Sequence, residues 1–309
     1  MIFYKTVSCG NDFILIDRDE YQSAAAAVMT KGQLAQRICS RHTGAGADGV
    51  VYYKIFPGTI GTVGTFGTPG TPGTVGTPGT PGTPPVDFEI FNRDGSEAEL
   101  SGNGMAGLSA LLFYLNQAGD QDHVVLNTKA GARRNTCLQR EKNKFLLKIE
   151  IGTANFQDHH FFPFLEKDRL GYRYNDITFY PVSVGNPHAV VLVEEEIAAD
   201  KPGQIGQVLE GAAIFPYKTN VELVLRSGAE PVDYKTGENF RVFYYERGVG
   251  QTLSSSTGSA AVFAVLQKLD LITHTLTIPF PGESIKISGK NTIYIENYTE
   301  IVYKGVYSS

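Results

Sequence analysis

The chain has 309 residues, of which 42% are hydrophobic and 19% are charged, and its formal net charge is −5. This length allows two domains of ordinary size, and the composition is typical of a soluble globular protein. The negative charge and the lack of a basic stripe argue against nucleic acid as a partner. No apolar run approaches about 18 residues, no leader-like N-terminus is visible, and the three cysteines lack a metal-binding spacing. The sequence therefore predicts a cytoplasmic protein with no membrane contact and no metal site.

The first part of the chain alternates strand-like runs with glycine-rich turns. Residues 2–7, 13–16 and 50–55 predict strands, and apolar residues at helical spacing predict a helix over residues 31–41. Nine Gly-Thr-X triplets closed by a proline then occupy residues 58–85. A repeat of this composition predicts a flexible, exposed loop that carries no chemistry.

A serine followed by Gly-Asn-Gly begins the first long apolar segment of the chain, at Ser101 to Gly104. The first N–H groups of a helix have no partner within the helix, and the dipole places partial positive charge at the same end. Such an end can bind a carboxylate or a phosphate. The segment that follows is apolar nearly all round, which predicts a helix buried inside a domain.

The same layout occurs a second time further along the chain. Ser255 lies nine residues after Glu246, just as Ser101 lies nine residues after Asn92, and a second apolar helix is predicted over residues 259–269. A Gly-Asn pair also precedes a strand in each half. Strand-like runs around one buried helix, occurring twice, predict an α+β fold that arose by duplication, with a site between the halves.

The remaining strands are predicted from alternating apolar and polar residues. They cover residues 124–127, 145–150, 177–184, 189–193, 222–225, 240–245, 293–295 and 301–303.

Two helix N-termini that face one cleft could hold a small negatively charged molecule from both sides. Inversion at a carbon atom needs one group that removes a proton and another that returns a proton to the opposite face. Serine performs this role poorly without a neighbouring base.

Seven motifs occur in a fixed order along the chain. They are Gly-Asn-Asp-Phe at 10–13, Arg-His-x-Gly-x-Gly-Ala-Asp-Gly at 41–49, Phe-Asn-x-Asp-Gly-Ser-Glu at 91–97, Gly-Asn-Gly at 102–104, Gly-Asn-Pro-His at 185–188, Thr-Asn-Val at 219–221 and Glu-Arg-Gly-x-Gly at 246–250. In this order and spacing the sequence resembles the diaminopimelate epimerase family. The resemblance covers nearly the whole chain apart from the Gly-Thr-X repeat.

The resemblance implies two pseudo-symmetric domains, each a β-barrel-like sheet wrapped around a central buried helix. We expect an N-terminal domain over residues 1–145, to which residues 301–309 return, and a C-terminal domain over residues 146–300. The implied activity is that of a cofactor-independent isomerase, which interconverts LL- and meso-diaminopimelate in lysine and peptidoglycan-precursor biosynthesis. The implied partner is a small amino-acid substrate, and a homodimer is compatible with the family.

Carried over residue by residue, the resemblance also implies a site. The catalytic positions are Ser101, Ser255, His188 and Glu246. The substrate-binding positions are Asn11, Asn92, Gly102, Asn103, Asn186, Asn220, Arg247, Ser256 and Thr257, among which the backbone N–H groups at 102–103 and 256–257 would hold the α-carboxylate. Two plainer interpretations stay open, namely that His188 is only a hydrogen-bonded residue after a turn and that Arg247 is a surface charge.

The sequence departs from the family pattern at its acid/base pair. The family has cysteines where this chain has Ser101 and Ser255, it has a glycine at Ser256, and it has an arginine where this chain continues Met105-Ala106-Gly107. A serine hydroxyl is far less acidic than a thiol with a pKa of about 8.5. A helix dipole contributes only about 0.3–2 kcal/mol, which does not close a gap of several pKa units.

Two alternatives to an active epimerase therefore stay open. One is a catalytically impaired paralogue that binds an amino acid without turnover. The other is a sibling isomerase or dehydratase on the same fold, in which Glu246 or His188 is the sole base.

Overall fold

The computed structural model describes residues 1–24, 28–56, 86–118, 121–193, 201–226 and 240–308. The Gly-Thr-X repeat predicted at residues 58–85 lies outside this set. Within the described residues, no helix is long and apolar enough to cross a lipid bilayer.

The first part of the described chain contains nine strands and three helices. The strands are β1 (Ile2–Ser8), β2 (Asn11–Asp17), β3 (Gly49–Ile55), β4 (Val86–Asn92), β5 (Glu97–Ala98), β6 (His123–Thr128), β7 (Gly131–Glu141), β8 (Lys144–Thr153) and β9 (Tyr172–Tyr174). The helices are α1 (Arg18–Ala24), α2 (Lys31–Ile38) and α3 (Gly102–Tyr114).

Eight further strands and two helices complete the described elements. The strands are β10 (Ile177–Ser183), β11 (Pro187–Val193), β12 (Asn220–Arg226), β13 (Phe240–Glu246), β14 (Gly250–Thr252), β15 (Thr275–Phe280), β16 (Glu283–Gly289) and β17 (Thr292–Val306). The helices are α4 (Lys201–Glu210) and α5 (Ser256–Lys268).

Helix α3 lies at the centre of a closed barrel. Strands β1, β2, β3, β4, β6, β7, β8 and β17 follow one another in one sheet, and β17 pairs with β1 to close the ring. Every α3 residue from Gly102 to Phe113 is buried, as its all-round apolar sequence predicts. Because of this closure, none of the eight strands of the ring is a free edge that would invite pairing with other chains.

The second half repeats this arrangement around α5. A six-stranded sheet runs in the order β14-β13-β12-β11-β10-β9, and α5 packs against β10, β11 and β12 on one side and β15, β16 and β17 on the other. The pairing directions repeat as well, because β2 lies parallel to β3 as β11 does to β12. The α+β fold with two pseudo-symmetric, barrel-like halves is confirmed.

The C-terminal strand differs from its prediction. Residues 293–295 and 301–303 predict two strands, but β17 is one continuous strand. It pairs with β8 and β16 along its first part and with β1 at its end, so a single strand serves both halves. The predicted domain boundaries at 145/146 and 300/301 fall within β8 and β17 and stay a prediction.

Helices α3 and α5 approach each other at their N-termini. A Cβ atom added to Gly102 would lie only 2.4 Å from the Cβ of Ser256 and 3.0 Å from the Cδ1 of Ile151. Real Cβ atoms do not approach so closely, so a glycine at position 102 lets the two helix ends meet.

We expect Gly102→Ala to destabilise the protein because it forces apart these two helix ends. Overpacking of this kind costs about 1–3 kcal/mol, whereas replacing glycine by alanine in a helix gains at most about 1 kcal/mol. The free energy of unfolding in urea measures the difference. Gly171→Ala is a matched control, because its added Cβ would meet only Tyr180 at an ordinary 3.4 Å. Equal stabilities of the two variants would contradict the close approach.

Candidate active site

The two predicted catalytic serines occupy equivalent positions, each as the N-cap residue of a buried helix. Ser101 has φ −145° and accepts a hydrogen bond from the Gly104 N–H at 3.1 Å. Ser255 has φ −143° and accepts one from the Gly258 N–H at 3.2 Å. Each hydroxyl oxygen thus satisfies one of the unpaired N–H groups of its helix. The hydroxyl proton of each serine remains available as a donor.

One small cavity between the halves brings most of the predicted site residues together. Its described lining contains eight of them, namely Asn11, Asn92, Ser101, Asn186, Asn220, Glu246, Arg247 and Thr257. The other five are Gly102, Asn103, His188, Ser255 and Ser256, which lie buried behind this lining.

A chain of hydrogen bonds connects the two helix ends to Glu246. The Ser256 hydroxyl donates to Asn103 Oδ1, and Asn103 Nδ2 donates to Asn11 Oδ1 at 3.2 Å. Asn11 Nδ2 in turn donates to Glu246 Oε1 at 3.3 Å. Because each amide oxygen accepts and each amide nitrogen donates, the chain fixes the orientation of both asparagines.

Among the carboxylates of the cavity, Glu246 has the environment best suited to a base. Burial raises its pKa above the usual 4.5, while the polar side chains of Thr252, Ser255 and Asn11 act in the opposite direction. The interaction with Ser255 links this carboxylate to a predicted catalytic hydroxyl. A general base needs such a contact and a pKa that lies nearer to neutrality than that of an exposed carboxyl group.

The Ser101 side of the cavity is built differently. Among the described residues, no carboxylate or imidazole is hydrogen-bonded to Ser101. The site therefore has a base next to one serine and none in direct contact with the other.

His188 is fully buried, and its hydrogen bonds among the described residues go to Glu222 and Asn186 and not to either serine. Its Nδ1 lies 2.8 Å from Glu222 Oε1, and its Nε2 lies 2.9 Å from Asn186 Oδ1. Since Asn186 lines the cavity and also approaches Thr257 Oγ1 at 3.5 Å, His188 orients a cavity residue from behind. Its predicted assistance to proton transfer stays a prediction.

Sequence reasoning assigned no role to Glu222, which lies in a predicted strand. Its side chain is fully buried, and its Oε2 has no hydrogen-bond partner among the described residues. A Cβ at Gly258 would lie 2.6 Å from Glu222 Oε1, so this glycine makes room for the carboxylate. The sequence signal was available, because Glu222 follows Asn220 by two residues and so points to the same side of the strand.

Arg247 and Asn220 form another part of the cavity lining. The Arg247 N–H donates to Asn220 Oδ1 at 3.0 Å, and Asn220 Nδ2 donates to the Pro187 carbonyl at 2.8 Å. The guanidinium donates to the Tyr217 carbonyl at 3.0 Å and forms an ion pair with Glu99. Only 14% of the Arg247 side chain is exposed, so it is not an ordinary surface charge.

A second acidic residue of the cavity, Asp48, was part of a matched motif but received no role. It accepts from Arg41 Nη2 at 2.7 Å, and Arg41 also forms a two-pronged ion pair with Asp12. Burial and the neighbouring Asp12 raise the pKa of Asp48, whereas Arg41 and Lys5 hold the pKa of Asp12 down. This network fixes the loop that carries Asp48 into the cavity lining.

Cys9 lies near the matched Gly-Asn motif, but its environment does not suit a base. Burial raises the pKa of its thiol to about 12, and Asn297 Nδ2 donates to its sulfur at 3.1 Å. A thiol with such a pKa holds very little thiolate at neutral pH. The described residues also contain no cluster of His, Cys, Asp and Glu that could hold a metal ion.

Comparisons with known proteins identify the family of the chain. The family model described as diaminopimelate epimerase matches residues 3–157 and 180–307. The diaminopimelate epimerase of Methanocella arvoryzae is 31% identical, with 98% of this chain and 95% of that protein covered. The diaminopimelate epimerase of Halothermothrix orenii is 28% identical, with 98% and 96% covered.

Solved structures share the fold at low identity. A hydroxyproline epimerase from Agrobacterium vitis with bound trans-4-hydroxy-L-proline has a TM-score of 0.55 and 13% identity, over 100% of this chain and 89% of that one. A methylitaconate-delta-isomerase has a TM-score of 0.54 and 11% identity, over 99% and 95%. The family match spans most of the chain and both halves of the described site. The chain belongs to the diaminopimelate epimerase family.

Proposed function

We propose that this protein is a cofactor-independent isomerase that inverts an amino-acid α-carbon, converting LL- to meso-diaminopimelate in the cytoplasm. The observation that carries the proposal is the pair of N-cap serines, one from each half: Ser101 lines the cavity, and Ser255 lies behind the lining next to Glu246. This arrangement offers a proton acceptor on one face of a bound carbon and a proton donor on the other.

The N-termini of α3 and α5 form the binding site for the substrate α-carboxylate. Backbone N–H groups at Gly102-Asn103 and Ser256-Thr257 would donate to it, and both helix dipoles would favour its negative charge. A carboxylate held in this way also accepts part of the charge that develops when the Cα–H bond breaks. Glu246 and the asparagines around the cavity would orient the remaining polar groups of the substrate.

Proton transfer then runs across the bound carbon. In the LL to meso direction, as an example, Ser255 Oγ takes the Cα proton while its own proton passes to Glu246, and the C–H electron pair stays on the substrate. The Ser101 hydroxyl delivers its proton to the opposite face, and solvent reprotonates the resulting alkoxide as Glu246 returns its proton to solvent. Serine makes these transfers slower than cysteine would, because its hydroxyl is a much weaker acid.

A second candidate is a sibling isomerase in which Glu246 is the sole base. The observation that favours it is the unequal surroundings of the serines, since the Ser255 side chain acts to lower the pKa of the nearby Glu246, whereas the described residues place no base at Ser101. In this case both serines act only as helix caps, and their hydroxyl protons take no part in the reaction.

Restoring both thiols should accelerate the proposed reaction. We expect the wild-type protein to incorporate deuterium from D2O at Cα of diaminopimelate, and Ser101→Cys with Ser255→Cys to do so at least about 100-fold faster, because a well-matched acid/base group contributes about 10²–10⁴-fold. Mass spectrometry of the recovered substrate measures the exchange. Ser23→Cys, at an exposed serine, controls for an added thiol. Absence of exchange in both the wild type and the double variant would rule out the proposed function.

Glu246 should control the pH dependence of exchange. Because a base acts in its ionised form and burial raises the pKa of Glu246, the rate should rise with pH through a value above the usual 4.5. Glu246→Gln should lower the rate about 10²–10⁴-fold and remove this acid limb.

The serine variants separate the two candidates. Ser101→Ala and Ser255→Ala should each abolish most exchange if both hydroxyls transfer protons. Full activity in both alanine variants, with loss only in Glu246→Gln, would instead establish the sole-base isomerase. Because each alanine also removes a helix cap worth about 1 kcal/mol, melting temperatures identify any loss that comes from unfolding.

A further inference from the structure

A second cavity, of about 520 Å³, lies at the opposite end of helix α3 from the candidate active site. Leu115, the C-cap residue of α3, lines this mouth cavity together with Leu15 and Tyr53, which belong to the core of the first barrel. Ser101 caps the other end of the same helix, and its 13 residues span about 20 Å. The mouth cavity is therefore a separate place in the fold, at the far mouth of the barrel.

Tyr53 brings a hydroxyl group without a protein partner into the mouth cavity. Only 5% of this residue is exposed, and its hydroxyl makes no hydrogen bond within the described part of the chain. The hydroxyl still reaches the cavity, because protein atoms do not enclose it. Burial raises the pKa of this phenol, and the nearby Asp17, Tyr4 and Glu20 raise the pKa further, so the hydroxyl keeps its proton. Since a buried tyrosine hydroxyl usually has a partner, this one indicates that a polar group binds in the cavity.

Two carboxylates of the mouth cavity are held in place with one oxygen atom free. Asp17 Oδ1 accepts from the Asp19 N–H at 2.8 Å, and Glu20 Oε2 accepts from the Ile2 N–H at 3.0 Å. Neither carboxylate has a cationic partner among the described residues, whereas Asp19 pairs with Lys54. The C-terminus of α3 adds partial negative charge at the same place. The inner part of the cavity therefore favours a positively charged group.

Lys304 supplies the one positive charge that lines the described mouth cavity. Its ammonium group lies 5.6 Å from the centre of the Tyr4 ring and has no acidic partner within the described residues. The charges left without a partner are thus two carboxylates and one ammonium. A basic α-amino acid carries the opposite set, two ammonium groups and one carboxylate. Its aliphatic chain could lie on Leu15 and Leu115, an apolar surface that an inorganic cation would not use.

We propose that the mouth cavity binds a basic α-amino acid, with its ammonium groups at Asp17 and Glu20 and its carboxylate at Lys304. The Tyr53 hydroxyl completes the site, because it can accept from an ammonium or donate to a carboxylate. Hydrogen bonds between charged groups are the strongest of these contacts. This site goes beyond the proposed function, since none of its residues lines the cavity between the halves.

Titration calorimetry on the full chain tests the proposal with three probes. L-Lysine carries all three charges, L-norleucine lacks the side-chain ammonium, and 1,5-diaminopentane lacks the carboxylate. We expect lysine to bind at least about tenfold more tightly than either of the other two, because each of them loses one charge-assisted contact.

Four variants locate the bound lysine. Tyr53→Phe removes only a hydroxyl without a protein partner, so it should weaken lysine binding about twofold to tenfold and leave the melting temperature unchanged. Asp17→Asn and Glu20→Gln keep an oxygen atom for their backbone N–H partners and should each weaken binding about tenfold to a hundredfold. Asp176→Asn is the matched control, since this carboxylate is 91% exposed and pairs with Arg173 in the second half. It should bind lysine like the wild type.

Three results would overturn the proposal. The first is a wild-type protein that does not bind lysine, and the second is equal affinity for lysine and norleucine. The third is lysine binding that Glu246→Gln abolishes but Tyr53→Phe and Glu20→Gln leave intact, because the ligand would then lie in the cavity between the halves. Binding that depends on Tyr53 and Glu20 and not on Glu246 supports the mouth cavity.

Discussion

Unpaired backbone N–H groups at the start of two buried helices set the main constraint on this structure. Each helix is enclosed by strands, so its first N–H groups cannot all turn to bulk water. Ser101 and Ser255 satisfy one N–H group each through their hydroxyl oxygens. The two helix starts also contribute Ser101 and Thr257 to the lining of a cavity that holds amides and carboxylates. An anion bound there would serve as a partner for N–H groups that the serines leave unpaired.

Local sequence patterns predicted a helix or strand well where one face of that element, or all of it, is buried. The all-round apolar runs marked α3 and α5, and alternation marked β8 and β13. Strand β7 was missed because its residues, which include three arginines, are mostly exposed and show little alternation. The merging of two predicted strands into β17 could not be predicted either, because pairing partners on both sides, β8 and β1, hold the intervening residues extended.

The sequence predicted which residues form the site, but it did not predict which of these residues contact one another. Eight predicted positions line one cavity because the motifs end or begin regular elements at the junction of the halves. The Glu99–Arg247 and His188–Glu222 pairs join residues 148 and 34 positions apart, and no local pattern encodes such partners. The halves have also diverged, since the β2–β3 positions equivalent to His188 and Glu222 hold Phe13 and Val51.

The two helix N-termini meet at Gly102 and Ser256, and this contact affects how strongly the two halves hold together. Each end carries a partial positive charge of about half an elementary unit, so without an anion the two ends repel each other across the junction. An anion bound between them would act as a shared counterion and turn this repulsion into attraction toward a common centre. In such a protein the ligand is a structural element of the domain junction as well as the molecule on which the site acts.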